Sequence, residues 1–440
     1  MIMIKTKNII FSIFFKTTMK SLLFLAFTVL SSISAQDSKV LNDFATRYTK
    51  FAVDIYRETL KSVSGTFVVS PLSAHIILAF AESGAQDQTA KELTAALRLP
   101  ETREKIHAMF TAITPYLNNH GHYTLSSADK MYLNNKFKIN SPYKKAAGDF
   151  FNAEIESVDF SKNVEAANRI NRWVQYKTYD KISKFITPDM LNSGIDVVLV
   201  NAMYFSGQFV KGFNALLTTK LTFYLDKTEY VRTDMMVSTD EYEYYESTEL
   251  NAKFLKLDYK GGEVSMHIVL PNDKDGLTAL EGKISKVLVP PKYNIRRVSL
   301  RLPKFKLETE INFKSILQEM GITRAFRNNA DFRGIAAQQE NLKLSEVLHK
   351  AVIEVSENGS TTASTADVVL WTVHALQSSL RQFHADHPFL FYFRLNKPGI
   401  NFLIGRFATP SKDAACNNAV DCVVKDVSSL LFYRKGSHHE

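Results

Sequence analysis

The segment of this chain best suited to chemistry runs from Glu354 to Leu370: Glu-Val-Ser-Glu-Asn-Gly-Ser-Thr-Thr-Ala-Ser-Thr-Ala-Asp-Val-Val-Leu. It begins as a strand, passes Gly359 and continues with small, β-capable residues. It has no proline, and Asp367 is its only charge after Glu357. Loops ordinarily carry Pro, Gly, Asn and Asp because they must turn; this one is written in strand residues. Alternation assigns Ser360, Thr362, Ser364, Ala366, Val368 and Leu370 to one face, and Thr361, Ala363, Thr365, Asp367, Val369 and Trp371 to the other. The first face has no charge, so it can enter a sheet without burying one. Composition alone fits a solvated Ser/Thr-rich linker equally well.

The side chains an enzyme would need are present but not arranged as one. There is no Gly-x-Ser-x-Gly elbow, no His-Glu-x-x-His and no phosphate-cradling glycine loop. His120/His122 and His438/His439 are close pairs without supporting ligands. Cys416 and Cys422 lack the second pair that a zinc site needs. The expectation is a protein without catalysis, metal or cofactor. Five residues separate the two cysteines, which permits a local disulfide or a bridge to another chain in an oxidising compartment. Asn358-Gly359-Ser360 is an N-glycosylation sequon.

The elements that must position the segment belong to one large body. A length of 440 residues would suggest two or three domains, yet no linker, charge block or repeat interrupts Lys39 to Pro410. Residues 36–410 are therefore read as a single domain and 411–440 as a C-terminal extension. Met19-Lys20, the apolar run Leu22–Leu30 and small residues up to Ala35 form a short n-region, an h-region and a cleavage site. Residues 1–35 are predicted to be a signal peptide with Met19 as the functional start. Lysines at 5, 7, 16 and 20 interrupt the roughly 18 apolar residues that a membrane span needs. The mature chain is expected to be soluble, secreted and extracellular.

A net charge of +9 could favour sulfated glycans or nucleic acid. The basic residues are scattered, however (Lys144-Lys145; Lys177, Lys181 and Lys184; Arg296-Arg297), and read as solvated surface. Neither nucleic acid nor membrane is expected as a partner.

Phe44, Tyr48, Phe51, Ala52, Ile55, Tyr56 and Leu60 recur at helical spacing. Further helical patterns cover Ser73–Ala81, Thr89–Leu97, Glu104–Leu117, Val164–Thr178 and Ile311–Met320. Strand patterns begin near Tyr123 and dominate later: Val198–Phe205, Val264–Leu270, Val298–Leu307, Val347–Val355, Phe389–Phe393 and Asn401–Phe407. Helices early and strands late indicate an α+β class.

The segment's flanks are Leu344-Ser-Glu-Val-Leu-His-Lys-Ala-Val-Ile-Glu-Val355 upstream and Phe383-His-Ala-Asp-His-Pro-Phe-Leu-Phe391 downstream. With the segment, they resemble the hinge, reactive-centre loop and distal strand of serpins. Five further motifs match in order: Val69-Ser70-Pro71-Leu72-Ser73 with Gly84-Ala85 and Thr89; Asn171-Arg172-Trp173-Val174 with Thr178 and Ile182; Asn201-Ala-Met-Tyr-Phe-Ser-Gly207; Leu302-Pro-Lys-Phe-Lys306; and Ala330-Asp331-Phe332. Together they cover roughly Lys39 to Pro410. The resemblance implies a serpin fold of three β-sheets and eight or nine helices, with the reactive-centre loop exposed at one pole. It implies suicide inhibition of a serine endopeptidase by a monomer that traps its target as a covalent acyl complex. It assigns the hinge to Glu357, Gly359, Ser360, Thr361, Thr362, Ala363, Ser364, Thr365 and Ala366. It assigns a buried polar cluster, the shutter, to Ser70, Ser73, Asn201 and His349. Taken alone, His349 reads as a hydrogen-bonded core histidine.

With Gly359 in its usual family position, the reactive bond is Val373–His374. The stretch to Pro388 is longer than in well-known members, which leaves cleavage after Leu370, Trp371 or Leu376 open. Val373 suits a small apolar pocket, as in elastase-like proteases; the alternatives suit chymotrypsin-like ones. Arg381 lies too far along for trypsin-like cleavage. Some serpins bind glycosaminoglycans through the helix matching Glu104–Leu117, which carries few basic residues here. Phe209 stands where the family usually has tryptophan. A non-inhibitory serpin (carrier, chaperone or storage protein) and a cross-class cysteine protease inhibitor are the competing readings; a hinge free of proline, and of charge after Glu357, argues for inhibition.

Overall fold

The computed structural model describes residues 38–117, 121–336, 342–357 and 380–410. Helix α1 (38–62) buries Phe44, Tyr48, Phe51, Ile55 and Tyr56 on one face, as its periodicity requires. β1 (Phe67–Val69) then leads into α2 (Pro71–Ser83). Ser70 caps α2, its hydroxyl accepting from the Ser73 amide at 3.3 Å, and Pro71 occupies the first turn, where a missing N–H costs nothing. α2 is buried on all sides from Pro71 to Glu82, so it serves as a rod through the core.

The first half continues with α3 (Asp87–Ala96), α4 (Arg103–Ile113), β2 (Tyr123–Asn134), α5 (Ser141–Phe151), β3 (Glu154–Val158) and α6 (Asn163–Lys177). Strands then take over: β4 (Val197–Gly207), β5 (Thr219–Tyr224), β6 (Tyr230–Ser247), β7 (Ala252–Asp258) and β8 (Val264–Pro271). Two short helices, α7 (Leu277–Glu281) and α8 (Ile284–Val287), precede β9 (Asn294–Pro303), β10 (Phe305–Asn312) and α9 (Lys314–Glu319). The last strands are β11 (Leu344–Val355), β12 (Arg381–His384), β13 (Phe389–Leu395) and β14 (Ile400–Phe407). Among the described residues there are nine α-helices.

Five strands form one sheet in the order β10-β11-β4-β2-β3. Its central pair, β4 and β11, is parallel and pairs from Val197/Leu344 to Ser206/Glu354, with an irregularity between Leu344 and Glu346 and a continuous register thereafter. The neighbouring pairs β2/β4 and β10/β11 are antiparallel. The other nine strands form a continuous ladder. The 18-residue β6 pairs with β5, β7 and β9 along its length, and so joins what the resemblance treats as two separate sheets.

Strand alternation gives the five-stranded sheet two dissimilar faces. Leu125, Met131, Leu199, Met203, Val347 and Ile353 look into the main core. Tyr132, Val198, Val200 and Val352 form a smaller cluster with Ile170 and Val174 of α6. Each of these fully buried side chains contributes about 1.5–3 kcal/mol.

Two sequence expectations change. The Val298–Leu307 pattern is two strands broken at Lys304: β9 pairs with β6 in the large ladder, while β10 turns into the other sheet. The helix expected over Ile311–Met320 spans only Lys314–Glu319, because Ile311 and Asn312 remain in β10, paired with His349 and Leu348.

Candidate functional site

The centre of the five-stranded sheet carries a row of polar residues. Asp129 on β2 pairs across to Asn201 on β4, and Asn201 pairs across to His349 on β11. All three point into the main core, onto the N-terminus of α2. There the Ser70 amide donates to His349 Nε2 at 3.1 Å. An amide can only donate, so Nε2 accepts and the ring proton lies on Nδ1, which donates to Asn201 Oδ1. The Ser73 hydroxyl donates to the same Oδ1 at 2.9 Å. Asn201 Nδ2 donates to Asp129 Oδ1, and the Ser127 hydroxyl donates to Asp129 Oδ2 at 2.7 Å. The Ser70 hydroxyl donates to the Phe402 carbonyl at 2.9 Å. Phe313 stacks on the His349 ring with centroids 4.8 Å apart.

Burial sets the charge state of this row. It pushes the His349 pKa down to about 3, so the ring is neutral. It pushes the Asp129 carboxyl up to about 7, against the hydrogen bonds from Ser127 and Asn201 that favour the charged form. The structure therefore brings Ser70, Ser73, Asn201 and His349 into one network. It adds Asp129, which the sequence reading does not single out.

Of the side-chain bonds in this row, only His349–Asn201 crosses the β4/β11 joint. Separation breaks the His349–Asn201 bond, yet His349 Nε2 keeps Ser70 and Asn201 Oδ1 keeps Ser73. One donor, His349 Nδ1–H, must find a new partner. Buried polar groups that stay mostly paired keep the cost of opening low.

At the end of the joint where β11 stops, Glu357 is anchored. Its carboxylate takes an ion pair from Lys304 at 2.7 Å and a hydrogen bond from the Thr218 hydroxyl at 2.8 Å. Burial raises the Glu357 pKa, but Lys304, the residue's own backbone amide and Thr218 outweigh it and hold the carboxyl below its ordinary value. Val373, His374, Asn358, Gly359 and the hinge from Ser360 to Ala366 lie outside the described residues, as do Cys416 and Cys422.

The opposite face of the joint is covered by α6 and the segment after it. Lys130 of β2 bridges Glu154 at 3.1 Å and Glu156 at 2.6 Å, and lies 4.9 Å from the Trp173 ring centroid. Trp173 Nε1 donates to Glu154 at 3.0 Å, and Lys177 pairs with the same carboxylate at 2.7 Å. Asn171 holds the following segment by accepting from the Phe185 and Ile186 amides, each at 2.9 Å. Lys350 of β11 donates to the Lys184 carbonyl at 2.6 Å. Phe209 is buried and stacks on Tyr259 with centroids 4.5 Å apart, keeping an aromatic side chain at that position.

Among the described residues no cluster of His, Cys, Asp and Glu is placed to hold a metal ion. No helix among them is long and apolar enough to cross a membrane.

Comparison with known proteins is consistent throughout the body. The Serpin (serine protease inhibitor) family model matches residues 46–410. Antichymotrypsin-2 of Bombyx mori is 33% identical over 81% of this chain and 96% of its own length. Human Serpin B3 is 32% identical over 84% of this chain and all of its own length. The crystal structure of Serpin48, a highly specific serpin of the insect Tenebrio molitor, superposes with a TM-score of 0.77 at 34% identity, covering 84% of this chain and 98% of that one.

Proposed function

The chain belongs to the serpin family, and from that premise we propose that it is a secreted suicide inhibitor of a serine endopeptidase with elastase- or chymotrypsin-like specificity. The observation that carries this reading is the β4/β11 joint: a closed parallel pair above a polar network that can part, with the upstream arm of the loop anchored at its end through Glu357.

The chemistry is supplied by the protease. Its serine hydroxyl attacks the Val373 carbonyl, the peptide bond to His374 breaks, and the hydroxyl proton leaves on the new amino terminus. The acyl ester keeps the protease on Val373. The freed arm then folds back from Gly359 and enters between β4 and β11. Because it reverses after β11, it runs antiparallel to both strands and replaces one parallel pairing with two antiparallel ones, the stronger kind. β4 has 11 residues, the length of Ser360–Leu370. Each backbone hydrogen bond gained contributes about 1 kcal/mol net, so insertion is strongly downhill. Small residues at the front of the arm let it start before water deacylates the ester.

The protease preference rests on Val373, and secretion rests on the apolar run Leu22–Leu30. A glycan on Asn358 would place bulk at the hinge, and this reading requires that the inhibitory form lack it. Incubation with elastase, chymotrypsin and trypsin, followed by denaturing gel and intact mass, tests the proposal. The expected result is a denaturant-stable complex and a released fragment beginning at His374. Clean cleavage without complex across that panel and a broader one would overturn it.

A further inference from the structure

We propose that the solvent face of β9 and β12, with Lys253 of β7 beside it, is a second docking surface for the target protease: it receives an acidic patch on the protease body and sets which of the proteases able to cut the loop are captured fastest. The inference rests on the inhibitory reading above and deepens it. The reactive bond selects by side chain, and this face selects by charge.

The two ends of the loop fix where a protease must sit. Upstream, Glu357 is bonded to Thr218, the residue just before β5. Downstream, the chain enters β12 at Arg381. β5 and β12 are the outer strands of a four-strand run, β5-β6-β9-β12. Three strand spacings separate them, about 14 Å. The loop therefore starts and ends on the two borders of this run. Val373 precedes Arg381 by eight residues, at most about 28 Å of extended chain. A domain of about 230 residues has a radius of gyration of about 17 Å, so a protease held at Val373 has this face within reach of its body.

The face offers unmatched positive charge. β9 and β12 pair so that Gln382 lies beside Ser299 and His384 beside Arg301. Leu300, Leu302 and Phe383 point into the core, so alternation turns Ser299, Arg301, Gln382 and His384 to solvent. Arg297 shares their parity, and both arginines are exposed. Lys253 comes up to the border of the face, its Nζ donating to the Gln382 carbonyl at 3.4 Å.

The carboxylates of this region are committed elsewhere. Glu246 faces Arg381 at 3.9 Å, Asp234 faces Lys220 at 3.6 Å and Asp240 takes Lys211 at 2.8 Å. Asp386 is bonded to His387. Arg297 has Glu241 across from it in register. Arg301 has only Val237 on one side and His384 on the other. Among the described residues neither Arg301 nor Lys253 has a carboxylate within ion-pair distance, which makes them the least compensated cations of the face. His384 registers both: burial first, then Arg301, with Lys253 adding to them, hold its ring below the ordinary 6.5 against the opposing pull of Asp386. Cations at the rim of an interface act on encounter, steering an oppositely charged partner and raising its association rate by roughly tenfold or more at low salt.

The test uses the full-length chain with elastase and chymotrypsin, each untreated and succinylated. Succinylation turns surface lysines into carboxylates, and turnover of a small peptide substrate checks that the active site is kept. The readouts are the second-order rate constant of inhibition at about 0.05 M and about 0.5 M NaCl, and the stoichiometry of inhibition. Wild type should capture the succinylated enzymes about tenfold faster at the lower salt. Arg301→Ser combined with Lys253→Ser should remove most of that gain while changing the rate for the untreated enzymes by no more than about twofold. Stoichiometry should stay at the wild-type value, because the partition between trapping and deacylation is decided after docking. Arg301→Lys keeps the charge and should keep the wild-type rate. Wild-type rates in the double variant with the succinylated enzymes overturn the proposal, as does a loss that is equal for untreated enzymes or insensitive to salt. Weaker retention on heparin with unchanged protease rates also overturns it and assigns the face to a sulfated glycan. If the double variant fails to fold, Arg301→Ser alone decides, with an expected loss of about threefold. A wild-type chain that forms no complex with any of the four enzymes sinks the inhibitory reading, and this proposal with it.

Discussion

Residues 129 and 130, like residues 349 and 350, are chain neighbours that end on opposite faces of one sheet, and the two faces handle burial differently. Inside, Asp129, Asn201 and His349 are cut off from water, and the histidine discards its charge. Outside, Lys130 and Lys350 each bridge two glutamates. Each lysine side chain is only 6% exposed, but its carboxylates reach solvent: Glu308 and Glu310 beside Lys350 are 53% and 52% exposed. The inner face relies on directional hydrogen bonds among groups cut off from water. The outer face relies on charge pairs that water and salt weaken. The difference teaches which residues should govern opening and which should merely hold α6 in place.

The largest expected effect tests what the inner face admits. Ser360→Arg should abolish inhibition while leaving the loop cleavable, because a buried guanidinium would have no partner there. Wild-type stoichiometry of inhibition in that variant would show the insertion register to be wrong. Next, His349→Ala should cost about 2–4 kcal/mol in urea unfolding, since it orphans both the Ser70 amide and part of the Asn201 acceptor. That loss should be the same in 1 M NaCl. Its neighbour Lys350→Met should cost less, about 1–2 kcal/mol, and the loss should shrink in 1 M NaCl because the abandoned carboxylates turn to water. Equal salt responses at 349 and 350 would erase the contrast between the faces.

Lys304→Ala should cost about 1 kcal/mol and alter the acid limb of stability. Glu357 titrates below its ordinary 4.5, so its contribution is present above that value and lost as pH falls through the lower folded value. Without Lys304 this part of the acid dependence should diminish, as measured by midpoint against pH from 3 to 6. Smallest of all, Glu154→Gln should change stability by about 0.5 kcal/mol, given a carboxylate 42% exposed.

Much of this was legible along the chain. α1 and β4 announce themselves by sustained periodicity and by a continuous apolar run, respectively. α5 escapes because only Tyr143, Ala147 and Phe151 face inward, and Gly148 and two lysines dilute the pattern. The break at Lys304 is invisible to alternation, because both flanking stretches are equally strand-like and belong to different sheets. Asp129 sits in Ser-Ser-Ala-Asp-Lys, which reads as a polar surface stretch. The available signal was its shared parity with Leu125, Met131 and Leu133, all buried on one face. That signal acquires meaning only once β2 is registered against β4, and register between distant strands is a property of the folded sheet. The partners of Glu357, at 218 and 304, are hidden for the same reason.

The anchor at Glu357 has a kinetic consequence. Under the proposed insertion, a strand tethered beside its slot would meet it at an effective concentration on the order of millimolar, so self-insertion would be first order and indifferent to how much protein is present. A strand offered by a second copy would have to enter the same slot by a second-order route. Dilution would leave the first process untouched and starve the second, so on this reading concentration alone separates the two.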